Sequence, residues 1–108
     1  MSKRSKACEI SQKVKEIVWL RDNKSCIFCG RYVPRTCANA HFIPRSKSGL
    51  GIEQNILTLC FECHRDFDNS DKRQEYKVKF RKYLQSIYGE SWKEEDLMYN
   101  KWKNFGKI

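Results

Sequence analysis

Apolar residues recur at helical spacing in two stretches of the chain. In the first, Val14, Ile17, Val18 and Leu20 predict a core-facing helix over about 12–22, capped by Ser11 and broken by Asp22-Asn23-Lys24-Ser25. In the second, Tyr76, Phe80, Tyr83, Leu84 and Ile87 form a buried stripe on a longer helix. Ser70 or Asp71 should open that helix, Gly89 should end it, and Lys72, Lys77, Lys79, Arg81 and Lys82 cover its remaining faces. Ser91 with Glu94 reads as a capping box and predicts a last short helix near 92–103, packed through Trp92, Leu97, Tyr99 and Trp102. Between the two stretches the pattern shortens. Cys37–Ile43 suits a strand that Pro44 bends or ends, Ser46–Gly51 a flexible loop, and Ile56–Leu59 a second strand. A helix should start at Cys60–Cys63 and run to about Phe67. Residues 1–9 are a basic arm that need not be ordered.

These elements fit one domain: 108 residues leave no room for two. The working division is the arm (1–9), a core (10–69) and a basic helical extension packed on it (70–108). The fold class is small α+β. A core this small gains from an added staple.

Charge narrows the partners. The formal net charge is +9, from 22 Lys+Arg against 13 Asp+Glu. The excess sits at the two ends: residues 1–24 carry seven basic and three acidic side chains, and residues 71–108 carry ten and six. Such a field suits a polyanion. No apolar run approaches the roughly 20 residues of a membrane span, and no signal-peptide pattern follows the basic start. The expected setting is the cytoplasm, where six cysteines point to metal rather than disulfides.

Four of those cysteines fall in two C-x-x-C pairs, Cys26/Cys29 and Cys60/Cys63, the first followed by Gly30. Two knuckles supply the four thiolates of a structural Zn²⁺ tetrahedron. A redox motif would explain one pair and not two. The sulfur shell is closed, so this zinc is expected to be structural. Cys8 and Cys37 remain as free thiols. Thirty residues separate the pairs, room for a working insert.

The insert holds Ala40-His41-Phe42-Ile43-Pro44-Arg45-Ser46 and Asn55-Ile56-Leu57, and the second pair continues as Cys60-x-x-Cys63-His64. Here the chain resembles the HNH (ββα-metal) endonuclease family over about residues 14–68. Both histidines of the chain and Asn55 occupy the H, N and H positions, and the cysteine pairs flank them as in zinc-bearing members. Asn39–Ser46 and Gly49–Asn55 look like small bacteriophage and prophage members. The resemblance implies a zinc-stapled ββα-metal core with flanking helices. It implies a metal-dependent endonuclease acting on double-stranded DNA by a one-metal mechanism, with little sequence specificity.

Within that reading His41, Asn55 and His64 are the catalytic set. A histidine titrates near neutrality and suits the general base, which is His41. Asn55 orients the loop by hydrogen bonds to backbone near His41. His64 ligates a divalent cation that clamps the scissile phosphate. Many members carry a ligand just before the base, where this chain has Ala40. Asp68, four residues after His64 on the same helix face, is the favoured substitute ahead of Asn39. One His and one carboxylate suit Mg²⁺ or Mn²⁺, with Ni²⁺ or Zn²⁺ as other options. Arg45, Lys47, Lys3 and Arg4 are the expected DNA contacts. Partners would be duplex DNA and a phage DNA-processing protein such as a terminase, in the cytoplasm of a bacterial host, with no membrane and no small-molecule substrate. The rival expectation is a non-catalytic zinc-stabilised DNA-binding module, or a docking factor for a DNA-processing complex.

Overall fold

A computed structural model of the chain describes residues 2–37 and 39–100. Its elements are helices α1 (Lys3–Cys8) and α2 (Gln12–Arg21), strands β1 (Ala40–His41) and β2 (Ile56–Leu57), and helices α3 (Phe61–Asn69) and α4 (Arg73–Tyr88). Short 3-10 turns follow at Gly89–Ser91 and Glu94–Leu97, and two more, Arg45–Lys47 and Glu53–Asn55, lie between the strands. The architecture is small α+β, built around one antiparallel pair with Ala40 opposite Leu57 and His41 opposite Ile56.

The first correction concerns the arm. Residues 3–8 are helical, started by the Ser2 hydroxyl accepting from the Ser5 N–H. The segment is short and basic, yet it ends in Ala7-Cys8, small enough to press against the core, and Cys8 is only 1% exposed.

In α2, Val18 is buried while Leu20 is 54% exposed. The stripe through residues 14, 17 and 18 continues to 21, not to 20, and Arg21 takes that place. Its guanidinium meets the buried carboxylate of Asp22, reaches the Glu53 and Ile56 carbonyls at 2.7 Å, and touches the Tyr88 hydroxyl. Asp22 also accepts from the Thr58 N–H at 2.9 Å and the Tyr83 hydroxyl at 2.5 Å. One residue pair thus ties α2 to β2 and α4. Asn23 and Lys24 then take left-handed backbone, φ 58° each, which ends the helix.

Both strands are shorter than their sequence pattern suggests, for a reason the hydrogen bonds show. Beyond β2, the Thr58 N–H goes to Asp22 and its carbonyl to Ile27 N–H. Beyond β1, Phe42 N–H finds the Asn55 carbonyl, but Ile43 N–H goes to the Asn55 side chain. The ladder stops because other partners take its next rungs.

α4 starts one or two residues later than a cap at Asp71 or Ser70 would place it. Ser70 closes α3, donating to the Asp66 carbonyl, and α4 begins after Lys72 without a side-chain cap. Tyr76, Phe80 and Leu84 are buried, Tyr83 is half-buried and Ile87 is exposed. Of the expected helix near 92–103, the described part holds only the 3-10 turn at Glu94–Leu97. Ser91 does not cap it: its hydroxyl donates to Tyr88, and Glu94 pairs with Arg81. Residues 97–99 instead run beside the 48–50 loop, Leu50 N–H to Leu97 carbonyl and Tyr99 N–H to Ser48 carbonyl, both 2.7 Å. Trp92 and Leu97 still bury as expected; Trp102 lies outside the described residues.

The core gathers β1 and β2 residues, α3, α4, Trp92 and Leu97 in one continuous cluster. Its aromatic centre stacks Phe28 on Tyr76 (4.0 Å) and sets Phe67 against Phe80 (5.1 Å) and Phe42 against Trp92 (5.6 Å). Among the described residues no helix is long and apolar enough to cross a membrane.

Candidate functional site

Two places bring chemistry-bearing side chains together. The first is the cysteine group. Cys26 N–H bonds to the Arg31 carbonyl and Gly30 N–H to the Cys26 carbonyl, closing a knuckle that needs the positive φ (81°) of Gly30. The second knuckle opens α3: Cys60 is its N-cap, and its sulfur accepts from the Cys63 N–H at 3.5 Å. The four Sγ atoms of Cys26, Cys29, Cys60 and Cys63 all lie within 4.8 Å of one another. Cys29 and Cys60 sulfurs are 3.7 Å apart, close to the edge of about 3.8 Å that a tetrahedron with Zn–S bonds of about 2.3 Å requires. The donor set therefore fits a metal such as zinc. Burial raises the Cys63 thiol. Burial opposes Cys26 as well, but backbone hydrogen bonds from Cys29, Cys60 and Phe28 outweigh it and bring the thiol down to about 7. Cys8 and Cys37 stand outside the group.

The second is a pair of open depressions, one around His41 and one around His64. His41 is half-buried on β1, and its Nε2 lies 2.9 Å from the Cys8 carbonyl oxygen. A carbonyl only accepts, so Nε2 carries the hydrogen and Nδ1 is the basic nitrogen of the neutral ring. Desolvation by burial lowers the His41 pKa below 6.5. The Cys8 hydrogen bond opposes this, while Arg45 and His64 lower it further and Asp68 raises it. His64 and Asp68 are therefore near enough to His41 to act on its charge. His41 lines an open depression of about 340 Å³ with Glu9, Ile10, Lys15, Asn39 and Arg45.

His64 and Asp68 follow Cys63 on α3, one turn apart. His64 Nε2 and Asp68 Oδ2 are 3.3 Å from each other, on the wall of a second open depression of about 290 Å³ with Phe61, Arg65 and Asn69. Two donors one helical turn apart can bite a single divalent cation or pair with each other. Among the described residues, only the cysteine group gathers three or more metal-binding side chains. Ala40 is buried and offers no donor atom.

Asn55 is fully buried. Its Oδ1 accepts from Ile43 N–H at 2.8 Å, and its Nδ2 donates to the Ile43 and Leu50 carbonyls at 3.2 and 2.8 Å. The side chain closes the 43–50 loop across its base. Arg45 and Lys47 are exposed on the 3-10 turn of that loop. Arg4 is drawn into the same neighbourhood, donating to Ser48 Oγ and the Arg45 carbonyl at 2.7 Å each. Lys3 is exposed on α1.

Two contributors escaped the sequence reading. The carbonyl of Cys8 is a backbone atom, invisible to residue type; a capping Ser2 ahead of small Ala7-Cys8 was the one available signal. Asp22 passed for a helix breaker, although an Arg-Asp pair at a helix end is what a buried ion pair requires. In comparisons with known proteins, no family model, no curated protein and no solved structure matches this chain.

Proposed function

We propose that the chain is a metal-dependent DNA endonuclease of the HNH type, with His41 as general base and a structural zinc on the four cysteines. The observation that carries this reading is the state of His41. It is a half-buried imidazole whose pKa burial lowers, with Nε2 2.9 Å from a carbonyl that can only accept and Nδ1 therefore left basic, on one depression with Arg45 and within electrostatic reach of a His-carboxylate pair.

The chemistry follows from those groups. A water attacks phosphorus in line, its proton passes to His41 Nδ1, and the bond to the leaving oxygen breaks. The proton turns His41 into an imidazolium, whose Nε2–H then makes a stronger, charge-assisted bond to the Cys8 carbonyl. Arg45 is suited to grip a phosphate oxygen through its planar fork. A divalent cation on His64 and Asp68 would supply charge stabilisation for the leaving oxygen. Asn55 touches no substrate; it fixes the loop that carries Arg45 and follows His41. Lys3, Arg4 and Lys47 add positive charge for the duplex backbone, a contact that carries little sequence information.

A second reading, a zinc-stabilised DNA-binding module or docking factor without catalysis of its own, draws on Ala40. It stands where the resembled family often has a ligand, and only two donors remain in the cleft. Incubating supercoiled plasmid with the zinc-loaded chain and Mg²⁺, Mn²⁺, Ni²⁺ or Zn²⁺ separates the two. The nuclease converts it to nicked or linear forms, and His41→Ala lowers the rate by about 10²–10⁴-fold with duplex binding retained. Plasmid that stays supercoiled while bound supports the module. Cutting that appears only with a partner protein supports the docking factor.

A further inference from the structure

The first helix lies outside the His-Asn-His motif, yet it is fastened to the motif at several points. Gly51 N–H bonds to the Ala7 carbonyl at 3.0 Å. Arg4 holds Ser48 and the Arg45 carbonyl. The approach is so close that a Cβ on Gly51 would stand 2.0 Å from the Glu9 carbonyl oxygen. The last residue of the helix, Cys8, is buried and turns its carbonyl to His41 Nε2.

We propose that α1 is a positioning element of the His41 site. The Cys8 carbonyl selects the Nε2–H tautomer and aims the ring, and the contacts of Arg4 and Ala7 hold that carbonyl in place. The consequence for catalysis rests on the endonuclease reading; the geometric claim does not. A neutral imidazole without a partner distributes its proton over two nitrogens, and which one carries it is set by the hydrogen bond the ring makes. A carbonyl suits this post because it can only accept, so it leaves Nδ1 unprotonated in the neutral ring. It also tolerates the imidazolium formed after proton transfer. Loss of the anchor would spread the ring over other angles and both tautomers, and small misplacements of a reacting group are costly in rate.

The test uses the full-length, zinc-loaded chain and Gly51→Ala, which pushes the end of α1 away through the Glu9 carbonyl and leaves the side chains of His41, Arg45, His64 and Asp68 unsubstituted. The readouts are the ¹⁵N shifts of the His41 ring, assigned against His64→Ala, together with zinc content, duplex affinity and plasmid nicking. In the wild type, Nδ1 should show the unprotonated shift. In Gly51→Ala the two ring shifts should move toward each other as the tautomers mix, and nicking should fall about 10–100-fold, with zinc content unchanged and with a rate loss at saturating duplex, beyond any loss of affinity from the shifted Lys3 and Arg4. Should Gly51→Ala fail to hold stoichiometric zinc, Ser48→Ala removes one of the two acceptors of Arg4 and is read the same way, with a smaller shift expected. Ring shifts identical to wild type, or mixed tautomers at an undiminished nicking rate, would overturn the proposal. If the wild type nicks nothing with any cation, the endonuclease reading falls, and the ring shifts still decide whether α1 sets the tautomer.

Discussion

The cysteine group and the His64–Asp68 pair share a helix and differ in almost everything else. The sulfurs come from two tight knuckles, three of the four residues are buried, and their donors close on a common centre. The cleft donors are open. His64 and Asp68 side chains are 25% and 51% exposed, and His41 lines a separate open depression from a strand. A closed shell has no position left for a reacting molecule, whereas a two-donor pair leaves most of a cation's shell for water and phosphate. The regions are also unequal in dependence. Cys60 caps α3 and Cys63 lies in its first turn, so the cage places His64 and Asp68, while nothing in the cleft places the cage.

The largest expected effect follows from that asymmetry. Stripping metal with a chelator, or substituting Cys63→Ser, should abolish cooperative unfolding, since a four-cysteine zinc contributes on the order of 10 kcal/mol of apparent folding free energy. The buried, raised thiol of Cys63 must lose its proton to bind, so the metal should also leave more readily in acid. Thermal melts followed by circular dichroism across a chelator titration measure this. A metal-free chain that melts at its holo temperature would show that the aromatic core alone carries α3, and the dependence would vanish.

What could be read from the sequence divides along the same line. The cage was legible because C-x-x-C imposes its own geometry within four residues, and two copies name one centre. Helix α4 was legible because Tyr76, Phe80 and Leu84 repeat at the spacing of a buried stripe, and α2 because Val14, Ile17 and Val18 turn toward the core with Val18 fully buried. The strands were legible in place but not in length, because Asn55 and Asp22 claim the backbone groups that would have extended them. The Ser91/Glu94 capping signal misled because both side chains found other partners. His41, His64, Asp68 and Arg45 could be singled out mainly through the family resemblance, and they lie on two depressions, His41 with Arg45 and His64 with Asp68. What holds His41 could not, since it is a main-chain carbonyl from 33 residues away.

A second, smaller effect sharpens the contrast. His64→Ala and Asp68→Ala should each change stability by less than about 1 kcal/mol, as expected of a pair this exposed. Each should raise the cation concentration needed for half-maximal nicking, with the four-cysteine zinc retained. The two regions separate cleanly if metal analysis still finds one zinc per chain while the cation dependence of nicking moves. If either substitution costs the zinc or several kcal/mol, the cleft is part of the staple and the distinction between closed and open sites fails.

The smallest effect lies in pH. The His41 pKa is depressed, first by burial and then by Arg45 and His64. The neutral base is therefore present at and above pH 6.5, and the acid limb of the nicking profile should have its midpoint below that value. A divalent cation on His64 and Asp68 adds positive charge of the same sign as Arg45 and should carry the midpoint lower still. Stability follows the same sign. The unfolded chain takes the proton near 6.5 and the folded chain only at lower pH, so His41 costs the fold nothing above 6.5. Its cost grows as pH falls from there through the folded pKa. Replacing Arg45 by Gln removes one depressing charge and should move the limb upward, without altering the unfolding transition at pH 7.5. A limb above 6.5 in the wild type, or one that ignores Arg45, would mean that another group limits the rate. The cleft would then have lost the feature that distinguishes it from the cage, a titrating side chain held ready for a proton.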